Sequence, residues 1–232
     1  MAEVLRVLRP VAGDSTGLGA DRSAACAEAL RVDGLAVSLT LERGSTELVW
    51  CSGLMSARFE DMQFTLGVGP GPDAIRTGGV VQVPDFQALA EMRWPPLRSA
   101  LDGIKVGAVF SFPLAVGAIQ VGVMTAVRAR PLMLTRQQTD DALVLAHALT
   151  ALFLSGGGGD SSQTLRRAVV HQATGMVSAQ LGVPLAEALL RLRAFAYGSE
   201  REVGAVAEDV VARRLRFQDD GNGPLAPRGE RG

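Results

Sequence analysis

The residues best suited to recognising a partner lie on two predicted helices near the end of this 232-residue chain. Glycine inside a helix costs about 1 kcal/mol relative to alanine, so a mid-helix glycine requires an explanation. It can let two helices pack closely, or it can leave a flat spot that a nucleic-acid base or phosphate approaches. Exposed arginine suits both phosphate contacts and stacking on bases. The candidate residues are Gln172, Ala173, Thr174, Gly175, Arg191 and Arg193.

The other residues capable of chemistry form no catalytic or metal-binding pattern. His147 and His171 lie on separate predicted helices without the carboxylate spacing of a zinc motif. His171 is next to Gln172 and could contact the same partner. Cys26 and Cys51 belong to no CxxC pair and are predicted to be reduced, buried thiols. We therefore predict no enzymatic activity, no metal and no cofactor.

Charge is unevenly distributed along the sequence. The chain has 23 Lys and Arg against 24 Asp and Glu, a net charge of −1. Residues 163–217 contain eight arginines and five acids, giving +3, whereas residues 1–162 contain 13 basic and 16 acidic residues, giving −3. We expect only the C-terminal segment to meet a polyanion. With no apolar run long enough to span a bilayer and no signal peptide, we expect a soluble, cytoplasmic protein.

Residues 1–154 are predicted to form an α+β domain around an antiparallel sheet. Strand patterns at 34–41 and 46–51, and again at 106–114 and 119–128, are joined by short turns, which indicates antiparallel neighbours. Helical patterns precede, separate and follow these strands. The glycine-rich segment after Leu66 lacks the Gly-Lys-Ser/Thr of a phosphate loop, and we expect a turn or the rim of a ligand cavity.

The last helix of this domain is predicted to run from a capping box, formed by Thr135 and Gln138, to Leu154. Its apolar stripe is broader than one sheet face requires, so we expect it to contribute to a homodimer. A Gly/Ser linker at 155–162, a helical domain at 163–217 and a disordered tail at 218–232 are predicted to follow.

The helical domain is predicted to contain three short amphipathic helices. Gly182 is placed to end the first helix, and Pro184 to begin the second. Gly198 ends the second helix, and Ser199 with Glu202 predicts a capping box for the third. Because a unit of this size has little core, we expect its function to be the presentation of a surface.

Three segments of this domain resemble the ANTAR domain of bacterial transcription antitermination regulators. They are Val170-His-Gln-Ala-Thr-Gly175, the stretch of second helix and preceding turn from Leu181 to Ala194, and the third helix from Glu202 to Val211. The spacing of Ala-x-Gly, Ala-x-Leu-Leu-Arg and a third-helix Val-Ala carries the resemblance.

The first domain resembles a GAF sensor domain. The carriers are five short motifs that occur in the family's order: Gly67-Val-Gly-Pro, Ala74-x-x-Thr-Gly78, Val83-Pro-Asp85, the strand from Val109 to Leu114, and Gly122-Val-Met. The two resemblances together imply an antiparallel-sheet GAF (PAS-like) sensor domain followed by a small all-α ANTAR domain.

Regulators of this kind bind paired hairpins in nascent RNA and hold the RNA out of the terminator structure, so that transcription continues. The resemblance implies an RNA-facing role for Ala173, Gly175 and Arg191, with Gln172 and Thr174 beside them. It also implies a homodimer and a possible small-molecule ligand of the GAF domain, whose binding residues the sequence does not indicate. The alternative is a ligand sensor with a DNA-binding or protein-docking helical module. An enzyme of the GAF-type sulfoxide reductase kind would need a positioned set of cysteines.

Overall fold

The computed structural model of the chain describes residues 20–41, 46–101, 103–155 and 167–218. These residues form two compact units, one containing the sheet and the helices around it, the other containing the last three helices. The turn between the first two predicted strands, at 43–45, lies outside the described residues. So do the predicted linker, apart from Ser155, and the predicted tail, apart from Gln218.

The first unit is built on a five-stranded antiparallel sheet, which confirms the predicted α+β class. Its strands occur in the order β2-β1-β5-β4-β3, so that the two longest strands lie next to each other near the middle. The strands are β1 (Gly34–Thr40), β2 (Thr46–Cys51), β3 (Val81–Val83), β4 (Ala108–Val116) and β5 (Ile119–Arg128).

Within the described residues, six helices accompany the sheet. Two of them have proline in the first turn, where its missing N–H is not needed. The helices are α1 (Ala20–Ala29), α2 (Gly53–Leu66), α3 (Pro70–Thr77), α4 (Phe86–Arg93), α5 (Pro95–Ala100) and α6 (Arg136–Leu154). The predicted capping box of α6 is confirmed: the Thr135 hydroxyl accepts from the Gln138 amide, and the Gln138 side chain accepts from the Thr135 amide.

One face of the sheet holds the large apolar side chains. Phe110 and Phe112 of β4 are fully buried there with Met124 of β5, and Leu145 and Leu149 of α6 pack against the same cluster. Side chains alternate between faces along a strand, so the residues between these point to the other face. Both faces are buried, which explains why β4 and β5 are near-continuous apolar runs.

The second unit consists of α7 (Ala168–Leu181), α8 (Leu185–Gly198) and α9 (Val203–Val211). Many residues of its interior are small or β-branched, among them Val177, Ala188 and Val206, which are fully buried together with larger residues such as Leu192. Gly182 adopts a left-handed conformation with φ of 67° directly after α7, as the sequence predicts.

The predicted capping box at the beginning of α9 is wrong. The Ser199 hydroxyl donates 2.7 Å back to the carbonyl oxygen of Phe195 in α8, and Glu202 precedes α9 without a side-chain cap. Glu200, with φ of 53°, makes the turn between the helices. Serine bonds as readily to a preceding carbonyl as to a following amide, and the sequence spacing alone did not distinguish these two uses.

The chain leaves α9 in an ordered extension of the second unit. Phe217 packs edge-on against Phe195 at a centroid distance of 5.8 Å, and its amide donates to the side-chain oxygen of Gln180 at 2.9 Å. Leu215 is also buried. These contacts connect the residues after α9 to both α7 and α8.

No helix in the described ranges is by itself long and apolar enough to cross a membrane. The helices α7 and α8 pass that test of length and composition only as a pair, with a bend of 106° between them.

Candidate nucleic-acid interface

The four candidate residues on α7 divide into two pairs. Gln172 and Gly175 are exposed, whereas Ala173 and Thr174 are buried in the interior of the second unit. The Thr174 hydroxyl donates to the carbonyl oxygen of Val170 at 2.7 Å, which satisfies it within the helix. Ala173 and Thr174 therefore offer no surface for a direct contact, and their place in this structure is in the packing of α7.

Within the described part of the chain, no neighbouring atom lies close enough to Gly175 to require a glycine there. A Cβ built on it meets no heavy atom within 4 Å, leaving aside its chain neighbours and the backbone of its own helix turn. Close approach of another described helix, one of the two explanations for a mid-helix glycine, does not apply here. The exposed residues Ala168, Gln172, Gly175 and Ala179 recur every three or four positions. They form one flat, uncharged stripe along α7, which we call the α7 face.

Arg191 is the exposed arginine of α8. Its guanidinium lies 3.0 Å from a carboxylate oxygen of Glu187, one helical turn earlier, and about half of each side chain is exposed. An exposed pair of this spacing contributes about 0.3–0.5 kcal/mol, so little is lost when the arginine turns to a phosphate instead. Arg191 is thus available to a polyanion.

Arg193 is in a different environment from Arg191. It is half-buried, and burial lowers the pKa of its guanidinium to about 10, with the nearby positive charge of Arg167 acting in the same direction. At neutral pH it remains charged. The structure therefore places the two predicted arginines on different sides of α8, with only Arg191 largely exposed.

Two exposed apolar residues on α8 were missed by the sequence analysis. Leu190 is 64% exposed and Tyr197 is 57% exposed. Leu189 and Leu192, by contrast, are buried on the inner side of α8. Leu190 and Tyr197 are seven positions apart and so share a second face, a signal that the sequence contained.

The arginines around α9 are partly neutralised by the unit's own acids. Asp209 accepts hydrogen bonds from Arg201 at 2.6 Å and from Arg214 at 2.7 Å. These two bonds hold the pKa of the Asp209 carboxyl below its usual value of 3.8. The basic excess predicted for this segment is therefore smaller around α9 than the number of arginines suggests.

The second face of the sheet in the first unit is also buried, and it mixes hydroxyl side chains with valines such as Val127. Ser38, Ser111 and Thr125 point to it from β1, β4 and β5 and are almost inaccessible. The Ser38 hydroxyl donates to the Glu60 carboxylate of α2 at 2.8 Å. Small hydroxyl side chains here contrast with the phenylalanines of the opposite face. The hydroxyl groups of Ser111 and Thr125 lie 3.5 Å apart, so this face is filled by hydrogen-bonding groups of the unit itself.

A chain of hydrogen bonds continues from this face to the glycine-rich segment. Gln63 donates to Glu60 at 2.9 Å and accepts from the Gly71 amide at 2.8 Å. Gly69 has φ of 142°, and a Cβ there would lie 2.5 Å from the Gln63 side chain. Glycine is thus required where the backbone wraps around Gln63. This observation supports a turn at 67–69, shorter than the glycine- and proline-rich segment suggested, because α3 already begins at Pro70.

The residues that could support catalysis or metal binding are dispersed. Burial raises the pKa of the Cys26 thiol to about 12, only partly offset by Arg22, so this thiol is protonated at neutral pH. His147 is exposed on α6, and His171 is half-buried on α7. Among the described residues no group of three or more His, Cys, Asp or Glu could hold a metal ion.

The chain is similar to several solved structures, although no family model and no curated protein matches it. The free methionine-R-sulfoxide reductase from Neisseria meningitidis, solved with its substrate, has a TM-score of 0.50 and 17% identity, covering 66% of this chain and 87% of that chain. The GAF domain of a phosphoenolpyruvate-protein phosphotransferase from Acinetobacter has a TM-score of 0.49 and 15% identity, covering 67% and 90%. Its counterpart from Coxiella burnetii has a TM-score of 0.48 and 15% identity, covering 67% and 95%. At these identities the likeness concerns the fold alone.

Proposed function

We propose that this chain is an RNA-binding regulator of transcription, with a GAF-type sensor unit and an ANTAR-type three-helix unit. The three-helix unit binds paired hairpins in nascent RNA and prevents the terminator from forming. The sequence resemblance supports both assignments. A protein of this function works in the bacterial cytoplasm, where transcripts are made.

The observation that carries the proposal is the open surface at Gly175. A glycine in the middle of a helix lowers stability by about 1 kcal/mol relative to alanine. No described neighbour occupies the space that a Cβ would take. An approaching partner that needs this space, such as the backbone or a base of RNA, explains the glycine.

In this proposal the exposed residues carry the contact. Gln172 can donate and accept hydrogen bonds at base edges beside Gly175, because its side-chain amide offers both functions. Arg191 leaves Glu187 and pairs with a phosphate. Ala173 and Thr174 fix the position of α7 in the unit. Arg193 adds positive potential from its half-buried position.

The sensor unit receives a signal that controls RNA binding. The resemblance to GAF domains is what supports a small-molecule ligand for this unit, because the hydroxyl groups of Ser38, Ser111 and Thr125 are buried and bond to Glu60 or to each other. We propose no catalytic role for this unit, although a sulfoxide reductase is among the similar folds. A thiol with a pKa of about 12, such as that of Cys26, is a poor nucleophile at neutral pH.

We also propose a homodimer, because two RNA hairpins require two three-helix units. Leu154 at the end of α6 is 57% exposed, and Leu152 and Phe153 beside it are only partly buried. Apolar surface of this kind suits contact with a second copy of the helix. Sedimentation of a single monomeric species at micromolar concentration would contradict this part of the proposal.

A competition assay tests the function. Labelled RNA from a pool of paired hairpins with randomised loops is bound to the full chain and challenged with duplex DNA of equal length. We expect hairpin RNA to be retained, and its affinity to fall steeply with salt because arginines displace counterions. Equal displacement by duplex DNA would favour the DNA-binding alternative. Binding of neither nucleic acid would favour a protein-docking module.

A further inference from the structure

The outer face of α8 carries a narrow apolar strip between two arginines. Leu190 and Tyr197 are more than half exposed, and Ala186 and Ala194 lie exposed beside them. At about 100° per residue, Tyr197 is within about 20° of Leu190 around the helix axis. We call Ala186, Leu190, Ala194 and Tyr197 the α8 strip.

The charged residues beside this strip are mainly basic. Arg193 lies about 40° from Tyr197 on one side, and Arg191 lies on the other side, about 100° from Leu190. Glu187 is the one acidic residue of α8, and it is paired with Arg191. Arg193 is half-buried, so Arg191 is the arginine of α8 that a phosphate can reach. An exposed aromatic ring and an exposed arginine on one helix suit single-stranded nucleic acid, because bases stack on the ring while phosphates pair with arginine.

The dimensions of the strip argue against a protein partner. Leu190 and Tyr197 are separated by about 10 Å along the axis, since each residue rises about 1.5 Å. Only alanines fill the remainder of the strip. A stable protein interface buries about 800 Å² on each partner around a well-packed apolar centre. A single unpaired base, which needs one exposed ring face, fits the available surface better.

We propose that Tyr197 stacks on an unpaired loop nucleotide of the bound RNA. This inference rests on the proposed function. It gives the RNA a second contact, on α8, in addition to the α7 face. The phenol ring supplies stacking energy without base specificity, because every base has a π-face. Preference for particular RNA sequences then comes from polar groups such as Gln172. Affinity comes from these polar contacts together with the stacking of Tyr197.

The test uses the full chain and three variants of one residue. Tyr197→Phe keeps the ring, Tyr197→Leu keeps apolar area without a ring, and Tyr197→Ala removes both. The probes are the pool of paired hairpins with randomised loops and a blunt RNA duplex with the same stem. Leu54→Ala, which truncates a 76% exposed residue of the first unit, is the matched control. Circular dichroism verifies that each variant is folded.

We expect Tyr197→Ala and Tyr197→Leu to lower affinity for the hairpin pool by about tenfold, within the range that truncation of a stacking aromatic produces. Tyr197→Phe and Leu54→Ala are expected to stay within about twofold of the unmodified chain, because neither removes a stacking surface. The slope of log affinity against log salt should not change, since no charge is removed.

Several results would overturn the inference. If the unmodified chain binds the hairpin pool and Tyr197→Ala binds it equally well, the stacking contact is absent while the proposed function stands. If Tyr197→Ala weakens the blunt duplex as much as the hairpins, the contact is not with an unpaired base. If it changes the sedimentation coefficient, the α8 strip is a protein interface. Failure of the unmodified chain to bind either RNA removes the proposed function itself.

Discussion

Arg128 shows how one buried charged residue organises the first unit. Its guanidinium donates to the carbonyl oxygens of Leu132 at 3.3 Å, Met133 at 2.9 Å and Arg31 at 3.2 Å. Burial lowers the pKa of this group, and the nearby carboxylate of Asp33 partly offsets the effect. The planar arrangement of five donors lets arginine reach three acceptors at once. It thereby connects the end of β5 to both the segment before α6 and the turn after α1.

Replacing Arg128 tests this organising role. We expect Arg128→Met to lower the free energy of unfolding by about 2–4 kcal/mol, because three carbonyl groups lose a charged donor in a buried site. Arg136→Met, which truncates an exposed arginine at the beginning of α6, should change stability by less than about 0.5 kcal/mol. Urea titration measures the free energy of unfolding of both variants. Equal effects of the two substitutions would show that the hydrogen bonds of Arg128 contribute little.

Asp209 provides a prediction for acid stability. Its pKa is lowered in the folded chain by hydrogen bonds from Arg201 and Arg214. A lowered carboxyl pKa means that the stabilisation is fully present above the ordinary value of 3.8 and is lost as pH falls through the folded-state pKa. We therefore expect Asp209→Asn to be less stable than the unmodified chain at pH 7 and equally stable near pH 2. Thermal unfolding across this range measures the difference. A constant difference at all pH values would contradict the assignment.

The residues of the candidate interface were only partly predictable. Gln172, Gly175 and Arg191 lie at the surface, as contact with a partner requires, whereas Ala173 and Thr174 of the same predicted set are buried. The half-buried environment of Arg193 depends on neighbours such as Arg167 in the folded chain, which no helix pattern contains. Tyr197 was not among the predicted residues, because the spacing of apolar residues identifies the buried side of α8 and does not single out an exposed aromatic residue.

Helix ends were predictable where the signal is local. The capping box of α6 and the left-handed Gly182 after α7 depend on residues within four positions, and both occur as predicted. Ser52 directly precedes α2, a position where serine often caps a helix. Its hydroxyl instead accepts from the Leu35 amide of β1 at 2.8 Å, a contact between residues 17 positions apart. Sequence spacing cannot reveal such a use, because the competing donor comes from another element.

The capping box supplies a prediction for α6. We expect Thr135→Ala to lower the free energy of unfolding by about 1 kcal/mol, because the first turn of the helix loses an acceptor for one of its free amides. Thr139→Ala is the control, since its hydroxyl donates only to the carbonyl oxygen of Thr135 and caps no amide. Chemical denaturation of both variants checks this. A larger effect of Thr139→Ala would contradict the capping account.

The whole molecule combines two units with different kinds of core. The first unit buries large aromatic residues such as Phe110 and Phe112 between its sheet and α6. The second unit has alanine and valine at its centre and leaves Gly175, Leu190 and Tyr197 at its surface. The antiparallel α+β class was predictable because adjacent strand patterns with short turns allow few other arrangements. The strand order was not, because β1 pairs with the distant β5.

The most direct test of the account measures RNA binding after Gly175 is filled. Gly175→Gln introduces a good helix former, and we expect it to raise stability by about 0.5–1 kcal/mol. We expect the same substitution to weaken binding of the hairpin RNA pool by about tenfold, because an added side chain stands where the RNA approaches and alters a shape-dependent contact. Gly204→Gln in α9 is the matched control, since its Cβ also meets no atom within 4 Å. The account predicts that only Gly175→Gln loses RNA affinity; equal affinity of the two stable variants would contradict it.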